Sequence, residues 1–246
     1  IETYYRFLIQ ELLPFYDKVL YLDSDLIVRG DVSELFKVEL GDNLIGAVRD
    51  IDFTGNLNMN DGERMEYARD ILEMGNPYDY FQAGVLLLNT AELRKLKSVS
   101  EWMSIVSGSE YIYDDQDVLN KYCDGRVTFL DDVWNVMIDC DNRVSRVFSF
   151  APSDQFDSYH AAATNPLIVH YAGYEKPWKM ALCDQGTLYW SYARRTPFYE
   201  ELLVSEPSSG PAITLPNRAI GEGNPLRKIM DPLMPLGSQR REAVKA

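Results

Sequence analysis

The sequence predicts an α/β protein with a central, mostly parallel sheet. Short, continuous apolar runs of strand length alternate along the chain with segments of helical periodicity, which is the arrangement that βαβ units produce. Such runs are typical of strands that are covered on both faces, as the strands of parallel sheets are. Of the 246 residues, 46% are hydrophobic and 25% are charged, a globular composition that argues against disordered and fibrous folds.

The first half of the chain begins with a helical pattern and continues with strands. Apolar and aromatic side chains recur at helical spacing over residues 1–13, and Pro14 ends the pattern. The predicted strands cover residues 19–22, continuing as 26–28, then 44–48 and 81–88. Short helices are predicted over 31–36 and 61–74, and a polar loop over 52–60. Because the helical pattern starts at once, we expect that the natural N-terminal strands are missing before Ile1.

The second half continues the alternation and then changes in composition. Thr90 is placed to cap a helix over 91–106, and Asp114 or Asp115 to cap a helix that ends near 122. Further strands are predicted at 127–130 and 167–170. From Pro207 onward Pro, Gly and Ser accumulate, so we expect a folded domain over 1–206 and a Pro/Gly-rich basic tail over 207–246.

The composition restricts both the partners and the chemistry. A net charge of −14 opposes binding to nucleic acid. The three cysteines form no CxxC pair and are interpreted as reduced thiols of a cytoplasmic protein. No apolar run approaches the ~20 residues that a membrane span needs. His160 and His170 are the only histidines, which excludes a multi-histidine metal site, so a metal ion would need carboxylate ligands.

Four Asp-x-Asp pairs occur in the chain, and their context separates one from the rest. The pairs are Asp23/Asp25, Asp50/Asp52, Asp115/Asp117 and Asp139/Asp141. Only Asp23 and Asp25 lie within an apolar strand pattern, where residues i and i+2 point to the same face and the two carboxylates converge. Such a pair needs a cation to neutralise it, and oxygen ligands favour Mg²⁺ or Mn²⁺. The alternative is an ordinary strand end with two solvated aspartates.

A second cluster of functional residue types begins at His170, the end of a predicted buried strand. The imidazole can give a metal ion one nitrogen ligand. Gly173 allows a ligand to approach the backbone closely, and Lys176 can place a positive charge on a phosphate group. A hydrogen-bonded core histidine is the alternative for His170 alone, but the following Gly-x-x-Lys-Pro-Trp favours a binding loop.

Four segments of the chain, taken together and in their order along the sequence, resemble the family 8 glycosyltransferases. They are Tyr21-Leu-Asp-Ser-Asp25, Phe81-Gln-Ala-Gly-Val-Leu-Leu-Leu-Asn89, Asp115-Gln-Asp-Val-Leu-Asn120 and His170-Tyr-Ala-Gly-Tyr-Glu-Lys-Pro-Trp178. The likeness is greatest to bacterial enzymes that add galactose or glucose to lipopolysaccharide, and glycogenin is more distant. It implies a GT-A fold with a catalytic domain over 1–206 and transfer of a hexose from a UDP-sugar with retention of anomeric configuration.

The resemblance also implies roles for individual residues. Mn²⁺, with Mg²⁺ as its substitute, is expected on Asp23, Asp25 and His170. The expected donor-binding residues are Arg6, Asp23, Ser24, Asp25, Gln82, Gly173 and Lys176. Asp115 and Gln116 match the catalytic pair beside the anomeric carbon, and Asp50 is expected to bind the acceptor. Gln82 stands where the family often has Asn, which leaves both glucose and galactose as candidate donor sugars.

The chemistry of these residues favours one mechanism and leaves two other functions open. Glutamine is a poor nucleophile, so we expect the acceptor hydroxyl to attack from the front face, with the leaving phosphate as base, rather than through a covalent intermediate. A sugar-phosphate nucleotidyltransferase also uses a divalent cation on strand-end carboxylates, although it usually opens with a Gly-rich phosphate loop. A non-catalytic module that binds sugar nucleotides is the second alternative, and it predicts that the metal ligands are lost.

The C-terminal tail predicts contact with an anionic membrane. Residues 217–246 carry six basic and three acidic side chains, a net charge of +3, whereas the rest of the chain carries −17. Ile229, Met230, Leu233 and Met234 offer an apolar face beside them. Because related enzymes act on lipid-linked acceptors, we expect a cytoplasmic protein in peripheral contact with the inner membrane face. The alternative is a solvated end.

Overall fold

The computed structural model describes residues 2–108 and 111–204. The chain divides into two units, Ile1–Tyr199 and Glu200–Ala246, and the strands and the site described below all lie in the first. The predicted boundary between residues 206 and 207 lies outside the described residues, as does the basic tail, and both stay predictions. Within the described ranges, no helix combines the length and the apolar character that crossing a bilayer requires.

Seven strands form two sheets in the described part of the chain. The strands are β1 (Lys18–Leu22), β2 (Leu26–Val28), β3 (Ile45–Arg49), β4 (Phe81–Asn89), β5 (Val127–Phe129), β6 (Val136–Met137) and β7 (Ile168–His170). The larger sheet has the order β1-β4-β3-β5, and the smaller sheet has the order β2-β7-β6. Strand β4 runs antiparallel to both β1 and β3, and β2 runs antiparallel to β7. The pairs β3·β5 and β6·β7 are parallel.

The α/β class is confirmed, but the sheets are mixed rather than mostly parallel. Of the five strand pairings described, three are antiparallel. A strand that is covered on both faces has a continuous apolar sequence whichever way it runs, so the apolar run of β4 contains no information on its direction. The reversal has a consequence for the site, because the C-terminal ends of β1 and β3 meet the N-terminal end of β4 at one edge.

Helices cover the sheets and connect the strands. The described α-helices are α1 (Ile9–Leu12), α2 (Ile51–Asn56), α3 (Glu63–Glu66), α4 (Thr90–Leu96), α5 (Val99–Gly108), α6 (Asp114–Cys123), α7 (Arg143–Arg146), α8 (Ser153–Thr164), α9 (Gly186–Ala193) and α10 (Tyr199–Val204). The 3-10 helices are Glu2–Leu8, Val32–Lys37, Asn60–Gly62, Pro77–Asp79, Asp132–Trp134, Cys140–Asn142 and Phe148–Phe150, and a π-helix covers Tyr67–Ile71.

Two of the predicted segments differ from the observed helices for reasons of capping. The loop predicted over 52–60 is wrong, because α2 occupies most of it. The side chain of Asp50 accepts a hydrogen bond from the backbone N of Phe53 (2.9 Å) and starts this helix. The helix predicted over 91–106 is divided into α4 and α5 at Lys97, whose backbone is extended. Its cap is Asn89 instead of Thr90, and the side-chain oxygen of Asn89 accepts from the backbone N of Glu92 (3.2 Å).

The start of α6 also differs from the prediction. The helix begins at Asp114, so Asp114 and Asp115 lie in its first turn and neither is the N-cap residue. Beneath the helix, Val118 packs in the main hydrophobic core with Trp102 of α5 and Phe7 of the N-terminal 3-10 helix. The rings of Phe7 and Trp102 stack with their centroids 5.1 Å apart. This core fixes the first turn of α6 against the larger sheet.

Candidate active site

The ends of three strands bring polar side chains together at one edge of the larger sheet. Asp23 follows β1, Asp50 follows β3, and Gln82 is the second residue of β4. The register of the β1·β4 and β3·β4 pairs places these three positions at the same edge. The first turn of α6 adds Asp115 and Gln116 to them. Five of the residues predicted for the site are therefore neighbours in the fold.

Asp23 and Asp25 lie in a break between β1 and β2, and not within one strand as the sequence predicted. The backbone N of Asp23 donates to the carbonyl oxygen of Gly84 (2.8 Å), which extends the β1·β4 pairing by one residue. The carbonyl oxygen of Asp25 accepts from the backbone N of Tyr171 (3.0 Å), directly after β7. Each aspartate is thus held by a different sheet, and the two carboxylates still converge.

His170, the last residue of β7, completes a group of three candidate metal ligands. One ligand atom from each of Asp23, Asp25 and His170 lies within 4.8 Å of the others. The Nε2 atom of His170 is 3.4 Å from Oδ1 of Asp25 and 3.9 Å from Oδ2 of Asp23. The histidine side chain is 2% exposed and the two aspartate side chains 26% and 20%, so the group opens to solvent on the aspartate side.

The second oxygen of each carboxylate is held by a cation. Oδ1 of Asp23 accepts from Nη2 of Arg6 (3.2 Å), and Oδ2 of Asp25 contacts the ammonium group of Lys176. Lys176 also donates to the carbonyl oxygen of Tyr171 (2.6 Å). These contacts fix the orientation of both carboxylates while the remaining oxygens face the histidine nitrogen.

This donor set fits a divalent cation. Two carboxylate oxygens and one imidazole nitrogen suit Mn²⁺, and a cation held by few protein ligands keeps coordination positions for the oxygens of a substrate. Burial disfavours the ionised form of Asp25, but its polar contacts, among them the ammonium group of Lys176, outweigh burial and hold the pKa of this carboxyl well below its usual range. The carboxylate is therefore available as a charged ligand at neutral pH.

Three hydrogen bonds fix the side-chain amide of Gln116. Its Oε1 accepts from the backbone N of Ala83 in β4 (2.9 Å). Its Nε2 donates to Oδ2 of Asp50 (2.9 Å) and to the hydroxyl of Tyr80 (3.2 Å). Because a backbone donor and a carboxylate acceptor flank the amide, its orientation is determined on both sides.

Asp50 combines a structural contact with an unusual proton affinity. Asp50 caps α2 with its side chain, and the residue is only 6% exposed. Burial, together with repulsion from Asp52, raises the pKa of Asp50 to about 6, although the hydrogen bonds from Phe53 and Gln116 oppose this. A carboxyl group with this pKa exchanges a proton close to neutral pH.

Arg6 connects Asp115 with the aspartate of β1. Its Nε lies 2.8 Å from Oδ2 of Asp115 as an ion pair, while the N–H bond itself points to the carbonyl oxygen of Thr3 (3.2 Å). Its Nη1 donates to the carbonyl oxygen of Ala83 (2.6 Å). Burial raises the pKa of Asp115 to about 6 even though the positive charge of Arg6 opposes the shift. Arg6 is thus a buried cation between two acidic side chains.

A cavity of about 430 Å³ opens beside these groups, a volume suited to a small organic ligand. Among its lining residues are seven that the sequence predicted, namely Arg6, Asp23, Asp50, Gln82, Asp115, Gln116 and Gly173. Asp25, Lys176 and His170 join the same charged group through the contacts given above. Ser24 is exposed between the two aspartates.

Two residues that the sequence analysis did not single out take part in this site. Oδ1 of Asn135 lies 2.9 Å from Nδ1 of His170. Arg143 lines the cavity, and its Nη1 is 3.0 Å from Oδ2 of Asp52. Asn135 could have been noticed as the polar residue in the otherwise apolar segment 133–137. Arg143 gives no such signal, since the carboxylate it pairs with lies far away in the sequence.

Comparison with known proteins relates the chain to enzymes that transfer sugars. The family model described as Glycosyl transferase family 8 matches residues 1–181. Glycosyltransferase GlyF of Streptococcus pneumoniae serotype 4 is 29% identical over 194 residues, which are 77% of this chain and 41% of that protein. Lipopolysaccharide 1,2-glucosyltransferase of Escherichia coli K12 is 27% identical over 182 residues, 71% of this chain and 48% of that protein. The chain thus spans less than half the length of these two relatives.

Solved structures agree with this relation. The bifunctional glycosyltransferase WbbM has a TM-score of 0.76 and 34% identity, covering 83% of this chain and 37% of that chain. The galactosyltransferase LgtC, solved with donor and acceptor sugar analogues, has a TM-score of 0.57 and 28% identity, covering 85% of this chain and 68% of that chain. The predicted GT-A fold is confirmed by these neighbours.

Proposed function

The chain belongs to glycosyltransferase family 8, and from this membership we propose that it moves glucose or galactose from a UDP-sugar to a glycan or a lipid-linked glycan. One observation carries the proposal: the ligand atoms of Asp23, Asp25 and His170 converge beside a cavity that also contains Asp115 and Gln116. A cation site next to a fixed polar pair is what the transfer of a sugar from a diphosphate needs.

The relatives support the choice of sugars and acceptors. One is named lipopolysaccharide 1,2-glucosyltransferase, from Escherichia coli, and another lipopolysaccharide 1,3-galactosyltransferase, from Salmonella typhimurium. Both names describe hexose transfer to a lipid-linked glycan. We carry this substrate class over to the present chain as part of the proposal.

Mn²⁺ is the proposed cofactor, with Mg²⁺ as its substitute, and Asp23, Asp25 and His170 would hold it. When bound, the ion supplies Lewis-acid stabilisation of the negative charge that develops on the departing diphosphate. Lys176 adds a positive charge beside Asp25. Gly173 has φ +100, a backbone conformation that side-chain-bearing residues rarely adopt, and it brings the chain close to the cavity. These two residues are the proposed diphosphate contacts.

The proposed reaction is a front-face transfer with retention of configuration. The oxygen of the acceptor hydroxyl forms a bond to the anomeric carbon while the bond from that carbon to the diphosphate oxygen breaks, and the electron pair leaves with UDP. The hydroxyl proton passes to the leaving phosphate. Gln116 and Asp115 provide polar groups beside the positively charged sugar, and Asp50 provides a hydrogen-bond acceptor for the incoming hydroxyl. Gln116, whose amide is hydrogen-bonded to Ala83 and Asp50, is a poor nucleophile, which favours this reaction over a covalent intermediate.

Family membership and the ligand group favour transfer over the two alternatives. A nucleotidyltransferase would release pyrophosphate, whereas the relatives carry the names of glycosyltransferases. A non-catalytic binding module predicts that the metal ligands are lost, yet all three are present and converge.

We also propose that the protein works in the cytoplasm and contacts the inner membrane face reversibly. The support is the net charge of +3 in residues 217–246 against −17 elsewhere, together with the lipid-linked substrates that the relatives' names imply. An anionic surface attracts each basic residue near it by about 1 kcal/mol.

The experiment is a measurement of UDP release from UDP-glucose, UDP-galactose and UDP-N-acetyl sugars. One of the two hexose donors is expected to yield UDP and a glycosylated acceptor in the presence of Mn²⁺, without pyrophosphate. Gln116→Ala should lower kcat about 100-fold or more with little effect on UDP affinity, because its contact is with the reacting sugar. Gln155→Ala, outside the cavity, is the matched control. Pyrophosphate as the product, or UDP binding without turnover on any acceptor, would contradict the proposal.

A further inference from the structure

A chain of hydrogen bonds connects the backbone of β4 with the ring of His170. The backbone N of Gly84 donates to Oε1 of Gln82. The same Oε1 accepts from Nδ2 of Asn135 (2.8 Å), and Oδ1 of Asn135 lies 2.9 Å from Nδ1 of His170. These hydrogen bonds thus connect the larger sheet with the smaller one.

Which atom donates and which accepts in each of these hydrogen bonds follows from the first bond, the one between Gly84 and Gln82. A backbone N–H can only donate, so the atom of Gln82 that faces it must be the amide oxygen. The amide oxygen of Gln82 can only accept hydrogen bonds, so the group of Asn135 that faces it must be the NH₂ group. The oxygen of Asn135 then faces the imidazole, and Nδ1 of His170 must carry the hydrogen that it accepts. In the neutral ring, Nε2 is left with its lone pair.

We propose that Asn135 is a positioning residue that holds His170 in the Nδ1–H form and so presents Nε2 to a divalent cation together with Asp23 and Asp25. The inference rests on the metal site of the proposed function. Metal-binding histidines generally donate their second ring N–H to an outer acceptor, which sets the tautomer and the ring orientation. Here the acceptor is a neutral amide, which adds no third negative charge beside the two aspartates.

Packing restricts the ring in the same position. Asn135 is 5% exposed and His170 2%. A Cβ atom on Gly84 would lie 2.3 Å from Cε1 and 2.9 Å from Nδ1 of His170, so the imidazole rests directly on the backbone of β4. This packing holds the plane of the ring, and the hydrogen bond between Nδ1 and Asn135, itself held by Gln82, fixes which nitrogen faces the aspartates.

The test measures the affinity for Mn²⁺ alone, from the loss of the free-ion EPR signal on titration with the whole protein. Asn135→Leu removes the acceptor with little change in size and should weaken Mn²⁺ binding by about 10- to 100-fold. Asn135→Asp restores an acceptor for Nδ1–H but removes the donor that faces Oε1 of Gln82, so it should bind Mn²⁺ several-fold more weakly than the wild type and more tightly than Asn135→Leu. Gln82→Met, at a half-buried position, frees one end of Asn135 and should weaken binding several-fold. Asn43→Leu is the control, because Asn43 is also half-buried and donates to Thr128 (2.8 Å) outside the site.

The outcomes separate positioning from general stability. Tighter Mn²⁺ binding by Asn135→Asp than by Asn135→Leu supports the inference, since a loss of packing alone would not be reversed by a carboxylate. Wild-type affinity in Asn135→Leu, or equal losses in Asn135→Leu and Asn43→Leu, would overturn it while leaving the metal site intact. Absence of Mn²⁺ binding by the wild-type protein would overturn the proposed metal site and the inference together.

Discussion

Asp50 and Asp115 are buried carboxyl groups that face one cavity, and burial raises the pKa of each to about 6. When the pKa of an acid is higher in the folded than in the unfolded protein, the folded state binds more protons between the two values. The stabilisation is fully present below the unfolded pKa of about 4 and is lost as the pH rises through about 6. At neutral pH both carboxyl groups are ionised while buried, which lowers the free energy of unfolding. Such destabilising groups are typical of functional sites.

Substitution of Asp50 by Asn isolates this effect. Asn keeps the size and the capping oxygen but does not titrate, so the stability of Asp50→Asn relative to the wild type should increase between pH 5 and pH 7.5 by about 1.4 kcal/mol. Urea unfolding at both pH values measures the change, and any pH-independent cost of the substitution cancels in the comparison. Asp31→Asn, an exposed capping position, is the control. A difference that stays constant or falls with rising pH would contradict the assignment of a raised pKa to Asp50.

Sequence patterns predicted the residues whose neighbours lie close in the chain. Asp23 and Asp25 are two residues apart, and His170 stands in a compact motif with Gly173 and Lys176. Asn135 and Arg143 were not predicted, because the residues that they contact lie far away in the sequence. Likewise, the hydrogen bond that turns the oxygen of Gln82 inward, toward Asn135, depends on strand pairing that no local pattern shows.

At the scale of elements, strand positions followed from the sequence but strand directions did not. The runs that became β1, β2, β3, β4, β5 and β7 were predicted to within one residue at each end, whereas the two-residue strand β6 was not predicted. Their apolar character reports burial on both faces and is the same for either direction. The helix α2 was missed because the polar residues of 52–60 outnumber the apolar ones that it buries, whereas the capping contact of Asp50 determines its start.

The contact between β4 and the ring of His170 gives a prediction at this scale. Gly84→Ala would place a methyl group 2.3 Å from Cε1 of the imidazole and should displace the ring, lowering both Mn²⁺ affinity and the melting temperature. Overpacking of this kind typically costs about 1–3 kcal/mol. Gly46→Ala in β3 is the matched control, since its Cβ would meet only leucine side chains, at 3.1 Å or more.

Thermal unfolding and Mn²⁺ titration of the two variants distinguish the outcomes. Gly46→Ala should change stability at most, with Mn²⁺ affinity as in the wild type. If Gly84→Ala bound Mn²⁺ as tightly as Gly46→Ala, the close packing of the ring on β4 would not matter for the site.

At the scale of the whole molecule, the charge is divided between an acidic body and a basic tail. The body should be repelled by anionic lipid and the tail attracted to it, since residues 217–246 carry +3 and the rest −17. Sedimentation with liposomes should show binding that needs anionic lipid, weakens with added salt and is lost when residues 217–246 are removed. Neutral liposomes are the control. Equal sedimentation of the truncated and full-length proteins would refute the membrane contact.

The metal group is the part of the site on which the proposed function depends most, and calorimetric titration with UDP tests it most directly. Wild-type protein should bind UDP in the presence of Mn²⁺ and lose this binding with a chelator. Asp23→Ala, Asp25→Ala and His170→Ala should each abolish the Mn²⁺-dependent binding while melting cooperatively, whereas Asp141→Ala, an exposed member of another Asp-x-Asp pair, should bind as the wild type does. UDP affinity that is the same with Mn²⁺ and with chelator, or that survives in the three variants, would contradict the assignment of a catalytic cation to Asp23, Asp25 and His170.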